Sequence, residues 1–172
     1  MAISDFVKTA VHGRLILRDG SGVPVVLNVQ YDLGDVAISG LTGKKLNTPQ
    51  HHQARGRHIS TSYGERVYPQ LKFSAFLTGE GAATPGSVQA FIMQNTPYTA
   101  NVSTTGAGRP YAIEAQLVIE GDDFGDAADW DTTFEHCVPV AVDFGEAMDG
   151  NKFSFTLDVT GEISGSLTAE EL

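Results

Sequence analysis

The chain has few of the residues and patterns that mark secreted or membrane proteins. Among its 172 residues there is one cysteine, Cys137, so no disulfide can form within the chain. No apolar run approaches the length of a membrane span, and the N-terminus lacks the basic start and apolar stretch of a signal peptide. These absences predict a soluble protein that folds in a reducing cytoplasm.

Familiar catalytic patterns are also missing. The chain has no phosphate-cradling glycine-rich loop, no Gly-x-Ser-x-Gly elbow and no His-Glu-x-x-His pair. Cys137 follows His136, but neighbouring residues of a strand point to opposite faces, so this pair is badly placed to act as nucleophile and base. We interpret Cys137 as a small buried hydrophobe in a strand, and we predict that the protein is not an enzyme.

The chain does contain many short strand-like runs. It has 19 glycines, most of them between such runs. Residues 14–18 and 23–31 flank the turn Asp19-Gly20 and predict a hairpin. The other predicted strands, three of them supported by clean alternation of apolar and polar residues, are 36–39, 67–77, 98–104, 111–120, 132–144 and 153–160.

The sequence predicts one helix, at residues 85–95. Thr84 can cap it, and Val88, Phe91 and Ile92 fall on one face. Strands therefore dominate, and the length suits one mainly β domain over residues 1–172 with a polar C-terminal tail at 162–172.

Strand patterning stops between residues 42 and 64. This stretch has few apolar residues, and no acidic residue occurs between Asp35 and Glu65. A loop of this length in a compact domain is usually functional or disordered. Its basic residues could contact phosphates, but it lacks a recognition helix and interleaved aromatic residues, with only Tyr63 near its end. The basic residues are Lys44, Lys45, Arg55 and Arg57.

Two segments could hold a metal ion. His51, His52 and His58 suggest Zn²⁺ or Ni²⁺, but structural zinc usually has four ligands, often including cysteine, and none is nearby in the sequence. The acidic stretch 121–131 suggests Ca²⁺, but its spacing is not that of an EF-hand. We interpret the first as a flexible loop that happens to contain histidines and the second as a solvated turn. The sequence thus predicts no metal and no cofactor.

Charge is divided unevenly along the chain. Residues 1–72 contain nine basic and five acidic residues, whereas residues 73–172 contain two basic and sixteen acidic residues. Such asymmetry bears on partners rather than on fold. It fits either nucleic acid on the basic half or self-association, in which the basic half of one copy meets the acidic half of the next.

Three segments, together with the order of elements, carry a resemblance to a known family. They are 65–69 (Glu-Arg-Val-Tyr-Pro), 120–129 and 153–161. In these segments and in its layout the chain resembles the major tail tube proteins of long-tailed bacteriophages. The resemblance implies a β-sandwich or rolled-sheet barrel with one flanking α-helix and a long inter-strand loop. It also implies hexameric rings that stack into a tube, through which DNA passes without specific binding.

The resemblance assigns residues 42–64 to an assembly loop that contacts a neighbouring subunit. We expect this loop to be mobile in the free subunit and ordered in the assembly. The expected interface residues are Lys44, Lys45, Arg55, Arg57 and Tyr63. The implied partners are further copies of the chain and other phage tail proteins, in the virion tail after folding in the bacterial host cytoplasm. The alternatives are another virion component, such as a tail completion or capsid decoration protein, and a monomeric β-sandwich ligand-binding module.

Overall fold

The computed structural model describes residues 13–29, 31–32, 34–41, 47–77, 88–120, 129–146 and 150–167. Strands dominate these residues, with one short helix among them, which confirms the mainly β prediction. In chain order the elements are β1 (Gly13–Arg18), β2 (Val26–Val29), β3 (Val36–Ser39), β4 (Asn47–Ala54), β5 (Arg57–Arg66), β6 (Gln70–Phe76), α1 (Val88–Ile92), β7 (Ile113–Ile119), β8 (Trp130–Gly145), β9 (Lys152–Val159) and β10 (Ile163–Gly165).

Eight of the strands form one antiparallel sheet. Its order is β2-β1-β7-β8-β9-β6-β3, and β10 pairs with β8. The hairpin predicted around Asp19-Gly20 is present, with Leu15 opposite Val29 and Arg18 opposite Val26. Strands β4 and β5 pair only with each other, as a separate two-stranded sheet.

The apolar face of the large sheet encloses the core. A single buried cluster includes Leu27 of β2, Leu71 of β6 and Phe155 of β9, and Phe91 of α1 packs onto it. Because the cluster joins strands from opposite ends of the sheet, the sheet must curve around it. Each such side chain, fully buried, contributes about 1.5–3 kcal/mol. The alternation read in the sequence at β6, β7 and β9 is therefore the inward and outward alternation of a sheet with one wet face.

Strand β8 is the longest, at 16 residues, and it changes partners along its length. Its first half pairs with β7 as far as Cys137, and its second half pairs with β9 as far as Gly145. The pairing is interrupted by irregularities near Ile113 and near Pro139. Such bulges bend a strand and increase its twist, which suits a strand that leaves the buried part of the sheet and continues outward.

The structure corrects two predicted segments. Residues 98–104 are not a strand: the N–H groups of Tyr98 and Asn101 donate to the carbonyls of Asn95 and Tyr98, so turns satisfy the backbone locally. The segment 162–172 begins with strand β10, because Ile163 is buried in the core and pairs with Phe134. The predicted start of the helix, residues 84–87, lies outside the described residues.

Candidate assembly surfaces

The segment expected to be a loop, 42–64, contains a β-hairpin. Strands β4 and β5 pair from Asn47 opposite Arg66 to Ala54 opposite Arg57. The two turn residues, Arg55 and Gly56, both have positive φ, at 49° and 75°. Positive φ at both positions is the geometry of a tight type I′ turn, which joins strands with the right twist. The prediction of an unpatterned loop was wrong for residues 47–64.

Within the described residues, this hairpin pairs with no other strand. Residues 50–58 and 60–62 are all exposed. An isolated two-stranded hairpin is only marginally stable in water. The hairpin is therefore an exposed, mainly polar element with few contacts of its own to stabilise it.

The structure describes the positions of three of the five expected interface residues. Arg55 occupies the turn and Arg57 opens β5, and both are exposed at the tip of the hairpin. Tyr63 lies on β5 opposite Pro49. Lys44 and Lys45 lie outside the described residues. Two of the four basic residues are thus brought together at the tip.

The hairpin also arranges the three histidines. Nδ1 of His51 lies 3.0 Å from Oγ1 of Thr61, and Nε2 of His58 lies 2.9 Å from the same atom. The rings of His51 and His58 meet edge-on with centroids 5.7 Å apart. His52 bonds elsewhere, with Nε2 2.7 Å from Oγ of Ser62.

The second half of β8 presents an open edge. On the side of β7 pairing ends at Cys137, so within the described residues the edge of 138–145 on that side has no strand partner. Val140 and Phe144 are each 55% exposed there. Open apolar strand edges are ready sites for pairing with another chain. Sequence reasoning could not find this surface beyond its apolar residues, because the open edge depends on where β7 ends.

A shallow groove of about 510 Å³ borders this edge. Its lining is largely apolar and comes from the end of α1, the residues before β7 and the open half of β8. It includes Met93, Pro110, Tyr111, Val138, Val140 and Val142. The groove and the open edge form one continuous surface, which we call the β8 surface.

Polar residues on the outer face of the sheet bond to one another across strands. Arg18 donates to Glu114 at 2.8 Å and to Gln116 at 2.6 Å, and Gln116 donates to both oxygens of Asp131. On the far side of the sheet Lys152 pairs with Asp35 at 2.7 Å. The contacts of Arg18 and Gln116 join neighbouring strands, whereas Lys152 reaches past β6 from β9 to the residue before β3.

Cys137 and His136 contact different groups. Cys137 is fully buried, its thiol lies 3.4 Å from the carbonyl oxygen of Phe134, and burial raises the pKa of the thiol far above its ordinary value. His136 instead lies 3.1 Å from Thr104 through Nδ1. The structure thus confirms that Cys137 is buried in a strand, and a thiol held protonated is a poor nucleophile.

The acidic stretch 121–131 is described only in its last residues. Residues 121–128 lie outside the described part of the chain, and Asp131 is held by Gln116. Where the chain is described, no three His, Cys, Asp or Glu residues are grouped as metal ligands. In the same residues, no helix is long and apolar enough to cross a membrane.

Comparison with solved structures reveals a likeness of fold. The fold is similar to that of a chain in the cryo-EM structure of the anti-feeding prophage (AFP) baseplate, 6-fold symmetrised. The match covers 96% of this chain and 99% of that chain, with a TM-score of 0.54 and 11% sequence identity. No protein-family model and no curated protein matches the sequence. The two chains therefore share a fold over almost their whole lengths.

Proposed function

We propose that this protein is a non-catalytic structural component of a phage tail or tail-like injection device. More specifically, we propose that copies of the chain assemble into hexameric rings that stack as the tail tube, the conduit for DNA ejection. The observation that carries the proposal is the end-to-end likeness to a chain of a six-fold assembly. A match that leaves almost no residue of either chain unused supports a shared architecture rather than a shared motif.

The hairpin β4–β5 supports the assembly proposal because few contacts stabilise it in the free subunit. Its described side chains are exposed, and it pairs with no other strand in the described residues. Ordering such a segment costs conformational entropy that few internal contacts offset. Contact with a neighbouring copy would supply the missing burial.

The β8 surface supports lateral contact within a ring. The open edge of 138–145 offers unpaired backbone groups, and Val140 and Phe144 add apolar area. A strand added to this edge from a second copy would extend the sheet from subunit to subunit. Contact between two different surfaces is heterologous, and it closes into a ring when the rotation between copies permits.

Charge supports the stacking of rings. The exposed tip residues Arg55 and Arg57 belong to the basic half of the chain, and the acidic half has sixteen carboxylates. A basic tip and an acidic surface of another copy attract each other. Excess negative charge also suits a conduit that must not retain DNA, because carboxylates repel phosphates.

A second candidate is a baseplate component that forms one ring and does not polymerise. The likeness to a chain of a baseplate assembly favours it. Both candidates use the same surfaces for lateral contact, and they differ in whether rings stack upon one another.

Electron microscopy of the concentrated protein in negative stain tests the proposal and separates the candidates. Open-ended tubes support the tail tube, and single six-fold rings support the baseplate component. A chain that stays monomeric at high concentration and low salt, as judged by analytical ultracentrifugation, contradicts both. That result would favour a monomeric binding module.

Charge reversal tests the docking of the hairpin. Changing the four basic residues of segment 42–64 to Glu should block stacking, while leaving the melting temperature of the subunit nearly unchanged, because the hairpin that holds two of them contributes no described residue to the buried core cluster. The four are Lys44, Lys45, Arg55 and Arg57. The tip pair alone, Arg55→Glu with Arg57→Glu, is compared with a charge-matched control, Arg14→Glu with Lys72→Glu, at exposed positions of β1 and β6. Normal tubes from the fourfold variant, or equal loss in the control, would contradict electrostatic docking through the hairpin.

A further inference from the structure

We propose that the hairpin β4–β5 has a binding site for one divalent transition-metal ion such as Cu²⁺, Ni²⁺ or Zn²⁺, with His51 and His58 as its ligands. The observation is the convergence of two imidazole nitrogens on a single point. Nδ1 of His51 and Nε2 of His58 lie 3.0 and 2.9 Å from Oγ1 of Thr61. An ion placed near that oxygen needs distances of about 2.0–2.1 Å to each nitrogen, so both exposed side chains would turn from the hydroxyl toward the ion.

The pairing irregularity of the hairpin creates this convergence. Register shifts between His52 and Gln53, so that His52 faces Ser60 whereas Gln53 faces His58. The extra residue of β5 is Ile59, and an inserted residue of this kind redirects the side chains on one side of it. His58 thereby reaches the hydroxyl of Thr61, three residues away, which itself lies opposite His51.

The chemistry of the donors selects the class of ion. Imidazole nitrogen suits Zn²⁺, Cu²⁺ and Ni²⁺, whereas Ca²⁺ and Mg²⁺ require several oxygen ligands. The sequence has no carboxylate between Asp35 and Glu65 to provide them. Both imidazoles are exposed, so an ion can reach them, and water would fill its remaining positions. Arg55 and Arg57 lie nearby at the tip and oppose a dication, so the site is one of modest affinity.

An ion held at this position would connect β4 to β5. Since it would bind the folded hairpin and not an open one, it would stabilise the hairpin by mass action. The inference depends on the geometry of the hairpin and not on the proposed function, so it stands or falls independently of tube assembly.

The test is metal binding by the full chain without an affinity tag. Zn²⁺ affinity is measured by calorimetry, and Cu²⁺ is used for electron paramagnetic resonance, where coordinated nitrogen splits the signal. We expect one ion per chain and two imidazole nitrogens on Cu²⁺. Loss of a supporting residue around a metal site commonly costs 10–100-fold in affinity, so removal of a ligand by His51→Ala or His58→Ala should cost at least about tenfold.

His52→Ala is the matched control. His52 is an exposed histidine of the same strand with a similar hydroxyl contact, to Ser62, and it should bind no ion. Its affinity should equal that of the wild type. Hydrogen exchange gives a second readout, since Zn²⁺ should slow exchange in β4 and β5 in the wild type and in His52→Ala only. Absence of binding by the wild type, or equal affinity in all the variants, overturns the proposal. A loss in His52→Ala as large as in His51→Ala overturns it as well.

Discussion

The buried carboxylate of Asp19 offers the sharpest test of how the fold is held together. Asp19 is 4% exposed and connects the β1–β2 turn to the segment before β7. Its Oδ1 accepts the N–H of Val25 at 2.6 Å and the hydroxyl of Ser21 at 2.9 Å. Its Oδ2 accepts the N–H of Val102 at 3.1 Å. The perturbation is Asp19→Asn, which keeps the shape and removes the charge.

The size of the destabilisation in Asp19→Asn follows from the hydrogen bond that the asparagine amide cannot accept. An asparagine oxygen can serve Val25 or Val102, but its amide nitrogen then faces the other N–H group, donor against donor. A hydrogen bond to a charged group contributes about 1.5–3 kcal/mol, and a buried donor left without a partner costs about 1–3 kcal/mol. We therefore expect the free energy of unfolding to fall by about 2–4 kcal/mol. The typical free energy of unfolding of a domain is about 5–15 kcal/mol, so this is a large share of it.

The loss of stability in Asp19→Asn should depend on pH. Burial by itself raises the pKa of Asp19, but hydrogen bonds from Val102, Val25 and Ser21 outweigh it and hold the pKa below its ordinary value. With a lowered folded-state pKa, the stabilisation is complete above the unfolded value of about 3.9 and is lost as pH falls through the folded value. The difference between wild type and Asp19→Asn should be constant between about pH 5 and 7 and should shrink below about pH 4.

The assay is urea denaturation of both proteins across this pH range. Asp143→Asn, at an exposed position of β8, is the matched control and should leave the urea midpoint nearly unchanged. A loss below about 1 kcal/mol in Asp19→Asn at pH 7 would refute the reasoning. So would a loss that persists unchanged at about pH 3, because the carboxylate would then not be its source.

Two further predictions concern the hairpin and the cysteine. In the free subunit the amides of β4 and β5 should exchange faster than those of β1 and β7, and assembly should slow them; equal protection in both states would contradict a docking role. The thiol of Cys137 should resist an aromatic disulfide reagent until the chain unfolds, because it is fully buried and burial raises its pKa. Labelling rates with and without urea measure this, and rapid labelling of the folded protein would contradict it.

The sequence by itself determined the strands that lie half in the core. At β6, β7 and β9 every second residue is apolar, and since strand side chains alternate between faces, this pattern predicts both the strand and its buried side. The β1–β2 hairpin was predictable as well, because Asp19-Gly20 is a strong turn signal between apolar runs.

The sequence could not reveal the hairpin β4–β5 through hydrophobic patterning, because residues 50–58 and 60–62 are exposed and show no alternation between a buried and an exposed face. A local signal did exist: Arg55-Gly56 forms a turn with two positive φ angles, and Ile59, Thr61 and Tyr63 alternate along β5 as strand-forming residues. Arginine is a rare first residue of such a turn, so the usual Asn-Gly or Asp-Gly signature was missing. At residues 98–104 the sequence predicted a strand that the structure lacks, because local turns form there despite a strand-like composition.

Only the tertiary structure decided which residues meet. The open edge of β8 exists because β7 ends its pairing at Cys137, and no local pattern records where a neighbouring strand stops. His51 and His58 share the hydroxyl of Thr61 because one inserted residue shifts the register between two strands. Alternation is a property of each strand alone, whereas register and strand ends are properties of pairs. The core could therefore be predicted from the sequence, whereas the surfaces proposed for assembly and for metal binding depend on how the strands pair.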